Sequence, residues 1–400
     1  MTQELKEGEF MVSGHVIRVL GPDEQITEPG FYNISLDRHH DQPCDGPSVT
    51  SGVLREMELK SPADVWAYSK LNTNAEPTQL APRRYEREQT DALLLGRARA
   101  AFVEGGMDEV AKHYFILPDD KPRVPTDKQL EFYNANQLWD MSHYKVFDSA
   151  PRKPTAAQLN AHKDGKATDT AKASIEFWAE QDAKGIKAVT QAELDRFKSI
   201  ASQVEFWKAV DEDGRDPLTD AQITMIRDMG EVLASDPMAS SVMGGLPEVT
   251  MAYKDHTTGL WVLSRPDTVS FDGLTTDYKK MSAQGRPFTH ALVDNRITQH
   301  GYDMQGALAS MAFEELTGQW PDFGIIAQSD KPPHHVILRE ISEEDLRFGQ
   351  FRNQRALRRF AECLASGNWP GPGEDVSQYQ RPQWLREKLL EEMQTEGKAP

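Results

Sequence analysis

Residues 247–280, PEVTMAYKDHTTGLWVLSRPDTVSFDGLTTDYKK, decide the fold of this chain. Pro266-Asp267 is followed ten residues after the aspartate by Asp277-Tyr278-Lys279. Two carboxylates and a lysine at that spacing suit one kind of site. The carboxylates converge on a hard divalent cation, and the lysine steadies an attacking water or a phosphate charge. Mg²⁺ favours such a site, because it takes few carboxylates and keeps waters and substrate oxygens around it.

The local pattern supplies the geometry. Leu260, Val262 and Ser264 alternate with Trp261, Leu263 and Arg265, the signature of a strand buried on both faces. Thr268-Val269-Ser270 continues it, Asp272-Gly273 marks a reversal, and Leu274-Thr275-Thr276 begins the return strand. Asp277 and Lys279, two apart on a strand, project from one face. A two-residue turn at Asp272-Gly273 would pair Thr268 with Asp277 and send Asp267 to the opposite face. A three-residue loop, Phe271-Asp272-Gly273 with Gly273 left-handed, pairs Asp267 directly with Asp277. The chemistry requires the second register. The competing reading is an exposed hairpin with solvated carboxylates.

Four hundred residues allow one large domain or two medium ones with ample core. The polar N-terminal residues lack a signal peptide's apolar stretch, and no apolar run reaches membrane-spanning length. Cys44 and Cys363 match no metal spacing. A reduced, cytoplasmic protein without a membrane partner is expected. The net charge of −18 argues against a general nucleic-acid coat. A nucleic-acid enzyme would then need a local basic lining. Candidates are Arg83, Arg84, Tyr85 and Arg87, then Arg97 and Arg99, and finally Arg347, Arg352, Arg355, Arg358 and Arg359 on a helix starting near Glu343. The competing reading for each cluster is a solvated face with internal ion pairs.

Along the chain, residues 1–29 read as an arm with one short strand at Met11 to Leu20. Residues 47–105 read as mainly helical, with Thr50 or Ser51 as a cap. From about Pro118 to Pro247 the chain is helical, polar and internally similar. Thr126 to Gln129, Thr155 to Gln158, Thr190 to Glu193 and Thr219 to Gln222 are capping boxes at intervals of 29, 35 and 29 residues. Phe177-Trp178 and Phe206-Trp207 recur at one offset before the third and fourth, so duplicated helical units are expected. Ala150 to Thr170 reads as a linker. Later, Phe323 to Ala327 and Val336 to Leu338 read as strands. No glycine loop suited to phosphates is present, so no ATP requirement is expected. His39-His40 and His334-His335 are adjacent pairs, poorly placed to ligate one metal.

These residues resemble the RecE-type exodeoxyribonucleases (exonuclease VIII) of phages and prophages, which carry a PD-(D/E)xK nuclease core. The resemblance spans about two-thirds of the chain in ordered blocks. Gly30 to Ser35, His39-His40, Ser48 to Arg55 and Lys60-Ser61-Pro62 are similar to its opening segment. Leu95-Gly96-Arg97-Ala98 resembles its first core helix, and Glu248 to Gln305 its catalytic block. Pro332 to Val336, Trp369-Pro370-Gly371 and Pro382-Gln383-Trp384 resemble its closing segment. The resemblance implies that Asp267 and Asp277 hold the metal and that Lys279 is the catalytic lysine. It also implies that Glu248 lies near the site and that Gln305 faces it from the following helix. Two positions depart from the family: Ala100 stands where a metal-binding histidine is usual, and Ala309 where a tyrosine is frequent.

The expected architecture is α/β, a PD-(D/E)xK core with a central mixed sheet flanked by helices, plus a helical insertion. The expected division is 1–117, an N-terminal segment with the first core helix; 118–247, the insertion; and 248–400, the catalytic sheet and C-terminal segment. The expected activity is a Mg²⁺-dependent deoxyribonuclease, with Mn²⁺ as a substitute. It would digest one strand of linear duplex DNA from its end, exposing single strand for recombination. The 5′-to-3′ polarity and a single-strand annealing partner are implied by the resemblance alone. A homo-oligomer is also expected. The rival readings are a single-strand or endonuclease relative, and a nuclease-dead DNA-binding or scaffold protein.

Overall fold

The computed structural model describes residues 8–86, 90–136, 144–146, 151–184, 187–189, 191–373 and 379–397. Within these, nothing is described of the side chains at 92–93, 100, 103–104, 136, 144–146 and 187–189. The first elements are β1 (Glu9–Val12), β2 (His15–Val19), β3 (Gly30–Asn33), α1 (Leu36–His40), β4 (Ser48–Thr50), α2 (Ser51–Leu59) and α3 (Pro62–Ala67). Then come α4 (Asp91–His113), β5 (Tyr114–Ile116), α5 (Asp127–Asn136), β6 (Tyr144–Val146), α6 (Ala156–Lys163) and α7 (Asp169–Ala183). They are followed by β7 (Lys187–Val189), α8 (Gln191–Asp213), β8 (Asp216–Leu218), α9 (Asp220–Ser235), α10 (Pro237–Val242) and β9 (Leu246–Pro247). The catalytic stretch forms β10 (Thr250–Lys254), β11 (Trp261–Ser264), β12 (Thr268–Ser270) and β13 (Leu274–Met281). The chain closes with α11 (His290–His300), α12 (Tyr302–Thr317), β14 (Asp322–Ser329), β15 (Val336–Ile341), α13 (Glu343–Ser366) and α14 (Gln383–Thr395).

Two compact units result: Met1–Thr90 with Asp228–Pro400, and Asp91–Arg227. The divisions fall at 90/91 and within α9, not at 117/118 and 247/248. The helix carrying Gly96 therefore belongs to the second unit.

In the first unit, the mixed sheet is split in two. One sheet runs β1-β2-β3-β10-β11-β4 and the other β15-β14-β13-β12-β9, each mixing parallel and antiparallel pairs. The chain passes between them at Arg265-Pro266-Asp267, where proline has no amide to offer a ladder. β11 is buried along its whole length, as its unbroken apolar run requires. The stretch from Met11 to Leu20 is two strands, not one. Ser13 and Gly14, at φ 48° and 83°, fold it into a hairpin, because both central residues of such a turn need positive φ.

Helix α12 packs against both sheets, and Leu308, Ala312 and Phe313 join Val262, Met251, Phe323 and Ile325 in one apolar core. The residue after Gln305 is Gly306, and a Cβ there would stand 2.8 Å from Phe323 Cε1. Only glycine lets α12 lie this close to β14, and Gln305 is carried in with it. Ala309, in place of a tyrosine, is sealed in this core at 1% exposure.

The second unit contains the repetition. β5 pairs in parallel with β8, and β6 with β7, so one pair is nested in sequence inside the other. Trp207 Nε1 donates to Pro122 O at 3.2 Å, and Trp178 Nε1 donates to Pro151 O at 3.0 Å. Each proline lies four residues before a capping threonine, Thr126 or Thr155. The boxes at Thr155 and Thr219 close in both directions, and Gln129 returns to the Thr126 amide at 2.9 Å. The box at Thr190 lies outside the described residues, as does Ala150, but the rest of the expected linker to Thr170 is largely helical, holding α6 and the start of α7, because the Thr155 box and the Thr168 cap start helices there. The segment is thus helical with short parallel strand pairs.

Candidate active site

The hairpin sets the first two groups. β12 and β13 pair Thr268 with Thr276, Val269 with Thr275 and Ser270 with Leu274. The connection is the three-residue loop Phe271–Gly273, with Gly273 at φ 98°. Continuing that register by one step places Asp267 opposite Asp277. The Tyr278 amide then donates to Asp267 Oδ2 over 2.6 Å, which fixes the carboxylate.

Asp277 is 2% exposed. Gln305 Nε2 donates to its Oδ1 at 2.8 Å, and the Lys279 ammonium pairs with its Oδ2. Asp267, Asp277, Lys279 and Gln305 therefore share one cluster, with Asp277 buried and the other three half-buried. The aromatic face of Tyr302 lies 5.1 Å from Lys279 Nζ, and Arg55 approaches the same ring at 5.6 Å. Neither was singled out from the sequence. Tyr302 opens the Tyr-Asp-Met-Gln block that carries Gln305, which was the available signal.

Burial, then the neighbouring charge of Asp277, pushes the Asp267 carboxyl well above the usual carboxylate range. Burial pulls Lys279 down, but the two aspartates outweigh it and hold the ammonium above its ordinary value. Two carboxylates this close favour sharing a proton or a cation over ionising together.

Glu248 adjoins the cluster without pointing into it. Its amide donates to Asp267 O at 3.0 Å, while its carboxylate pairs with Arg265. Arg265 also donates to Ile34 O at 2.8 Å. Glu248, at φ 51°, thus props the loop holding Asp267.

The donor set fits a Mg²⁺-type ion. Both ligands would be hard carboxylate oxygens, and Gln305 Oε1 is buried among them with no hydrogen-bond partner. An orphaned acceptor there suits a water held by the ion or by the substrate. Among the described residues no three His, Cys, Asp or Glu converge as a metal cage. Ala100 bears on this too, but its side chain lies outside the described residues.

The histidine pairs stay out of the cluster. His39 is buried, its Nδ1 3.0 Å from Thr250 Oγ1, and burial holds it neutral. His334 is buried with Nδ1 3.0 Å from Ser329 O, whereas His335 is exposed. Most of the C-terminal arginines are committed to protein partners. Arg347 lies 3.7 Å over the Trp320 ring, Arg352 Nη1 is 3.0 Å from Asp303 Oδ2, and Arg355 pairs with Glu58. Arg83 lies 4.7 Å over the Tyr85 ring and Arg84 is 2.8 Å from Glu86, while Arg87 is outside the described residues. No described helix is long and apolar enough to cross a membrane.

A family described as a PDDEXK-like domain of unknown function (DUF3799) matches residues 140–382. Among solved structures, a provisionally assigned exonuclease from Eubacterium rectale is similar over 67% of this chain and 98% of its own. The two are 14% identical, with a TM-score of 0.34. No curated protein matches the chain in sequence.

Proposed function

The chain belongs to the PDDEXK-like DUF3799 family, and on that premise we propose that it is a Mg²⁺-dependent exodeoxyribonuclease of the RecE type. It would degrade one strand of linear duplex DNA, 5′ to 3′, leaving single strand for recombination. The observation that carries this reading is the register placing Asp267 opposite Asp277, with Lys279 on the face of Asp277.

A divalent cation held by Asp267 and Asp277 would polarise the scissile phosphate and acidify a water. The protein's own groups do the rest. The Tyr278 amide fixes the Asp267 carboxylate, and the Gln305 amide fixes Asp277, so neither has to reorganise as the substrate arrives. Lys279 presents a full positive charge, which stabilises the negative charge growing on the phosphate. Gln305 Oε1 is free to accept a hydrogen bond from the attacking water and so aim it. Mn²⁺ would substitute, since the ligands are oxygens.

The test is incubation with linear duplex labelled at one end or the other, with Mg²⁺ or EDTA, beside a closed circle. Mononucleotide release from the 5′ label in Mg²⁺ alone is expected, with the circle intact. Cutting of the circle would instead mark an endonuclease, and inertness on every substrate would sink the reading.

A further inference from the structure

Beyond the catalytic cluster, the first unit contains a small polar cavity of about 220 Å³ lined by Arg286, Leu292, Asn295, Arg296 and Gln299. Four of these residues, at 292, 295, 296 and 299, form one stripe of α11, as residues three and four apart must. Arg286 reaches it from the loop joining β13 to α11.

The chemistry of the lining is one-sided. Two guanidinium groups and two carboxamides face the space, and no carboxylate lines it. Arg286 has no ion pair among the described residues. Arg296 is held from behind: Nη1 donates to Gln299 Oε1 at 3.3 Å and Nη2 to Ser282 O at 3.2 Å. Its acceptors are neutral, so its charge is oriented but not cancelled. The nearest acid on the helix, Asp294, is taken by Arg339 through two contacts of 2.7 Å. In a chain of net charge −18, an open depression with two arginines that pair with no acid is out of character. Planar guanidinium forks match the oxygens of a phosphate.

The position is as informative as the composition. Arg296 is tied to Ser282, three residues beyond Lys279 along β13 and its immediate continuation. At strand rise that is about 10 Å, on the order of one to two nucleotide steps along a DNA backbone. The other end of α11 passes through Gly301 into Tyr302, whose ring adjoins Lys279. The cavity thus lies on the loop and helix that join β13 to α12, the two elements carrying Asp277, Lys279 and Gln305.

We propose that the Arg286–Arg296 cavity is a phosphate subsite. It would take a backbone phosphodiester of the strand being cut, about one to two nucleotides from the scissile bond. This rests on the nuclease reading above. Phosphate contacts fix register without reading sequence, which suits an enzyme that advances along any strand.

The experiment measures affinity for a fluorescent linear duplex in Ca²⁺, with strand integrity checked on gels, across a salt series. Wild type is compared with Arg286→Ala, Arg296→Ala and Arg296→Lys. Each alanine variant should bind about tenfold more weakly. Each should also lower the slope of log K against log salt by about one. Arg296→Lys should restore the slope, since the charge returns. A second arm uses duplexes carrying one neutral methylphosphonate at successive positions from the end. One position, about one to two linkages from the scissile bond, should weaken wild type and leave Arg296→Ala unaffected, the mark of a direct pairing. Unchanged slopes, or equal methylphosphonate penalties in both proteins, would overturn the subsite. So would protection of wild type alone by inorganic phosphate against heat, with DNA affinity unaltered, since that marks a free-anion site. A wild type that neither binds nor cuts DNA removes the nuclease reading and this inference together. A wild type that cuts normally while the variants bind normally removes this inference alone.

Discussion

The Tyr278 amide donates to Asp267 Oδ2 over 2.6 Å, so the carboxylate at the crossing between the two sheets is held by the strand that carries the other carboxylate. The backbone itself therefore brings two like charges together before any cation is present. The consequence is measurable without activity.

In the folded, metal-free protein the Asp267 carboxyl titrates well above its unfolded value, chiefly through burial. The folded state then holds a proton that the unfolded state has released. Stability should fall as pH rises from the ordinary aspartate value, about 3.9, up to the raised folded value. Asp267→Asn removes this dependence and can keep the bond from Tyr278. In EDTA at pH 7 the variant should have a higher urea midpoint than wild type, and the gap should close towards pH 4. Mg²⁺ should reverse the order by stabilising wild type alone, by about 2.7 kcal/mol at a hundredfold excess over Kd. A variant less stable than wild type in EDTA would contradict the crowding of these carboxylates.

Lys279 is the counter-charge of a carboxylate that is 2% exposed. Lys279→Ala should reduce cleavage by at least about a hundredfold. It should also destabilise the metal-free protein by about 3 kcal/mol, because Asp277 is left buried without its cation. Circular dichroism should keep its native form, and Mg²⁺ should recover part of the loss. Asp277→Ala should abolish cleavage as well. Retention of more than about a tenth of wild-type turnover by either variant would count against the roles assigned.

Gln305→Leu keeps the shape of α12 and deletes the 2.8 Å bond to Asp277. Groups that orient a ligand are typically worth ten- to a hundredfold in metal affinity. Titration with Mn²⁺ should show a loss of about that size, with the free energy of unfolding changed by no more than about 1 kcal/mol. Unaltered affinity would mean that Gln305 does not position the ligand.

The nested repetition in the second unit makes a separate claim. Trp178 and Trp207 donate to carbonyls at equivalent places, over 3.0 and 3.2 Å. Replacing either by Phe should cost about 1 kcal/mol of stability, and the double variant about the sum. Thermal unfolding of the three variants checks this. A large loss at one site and none at the other would show that the two copies are not equivalent.

The sequence alone put Asp277 and Lys279 on one face, because a strand repeats every two residues, whereas the three-residue loop that brings Asp267 opposite Asp277 was one of two registers it allowed. It also determined the capped helices of the second unit, since a capping box is satisfied within four residues. The placement of Gln305 beside Asp277 was legible only through resemblance; the contact joins residues 28 apart and depends on Gly306 letting α12 approach Phe323. Only the tertiary structure decided where the sheet divides, because burial on both faces looks the same in one sheet or in two. It alone separated the structural arginines from the rest: Arg352 and Arg355 find Glu58 across almost 300 positions, a pairing no local pattern encodes. It alone, too, revealed that the short strands of the second unit are nested, with β8 returning to β5 around β6 and β7. Local periodicity is written into neighbouring residues, whereas burial, charge pairing and strand partnership are properties of surfaces that meet only when the chain has folded.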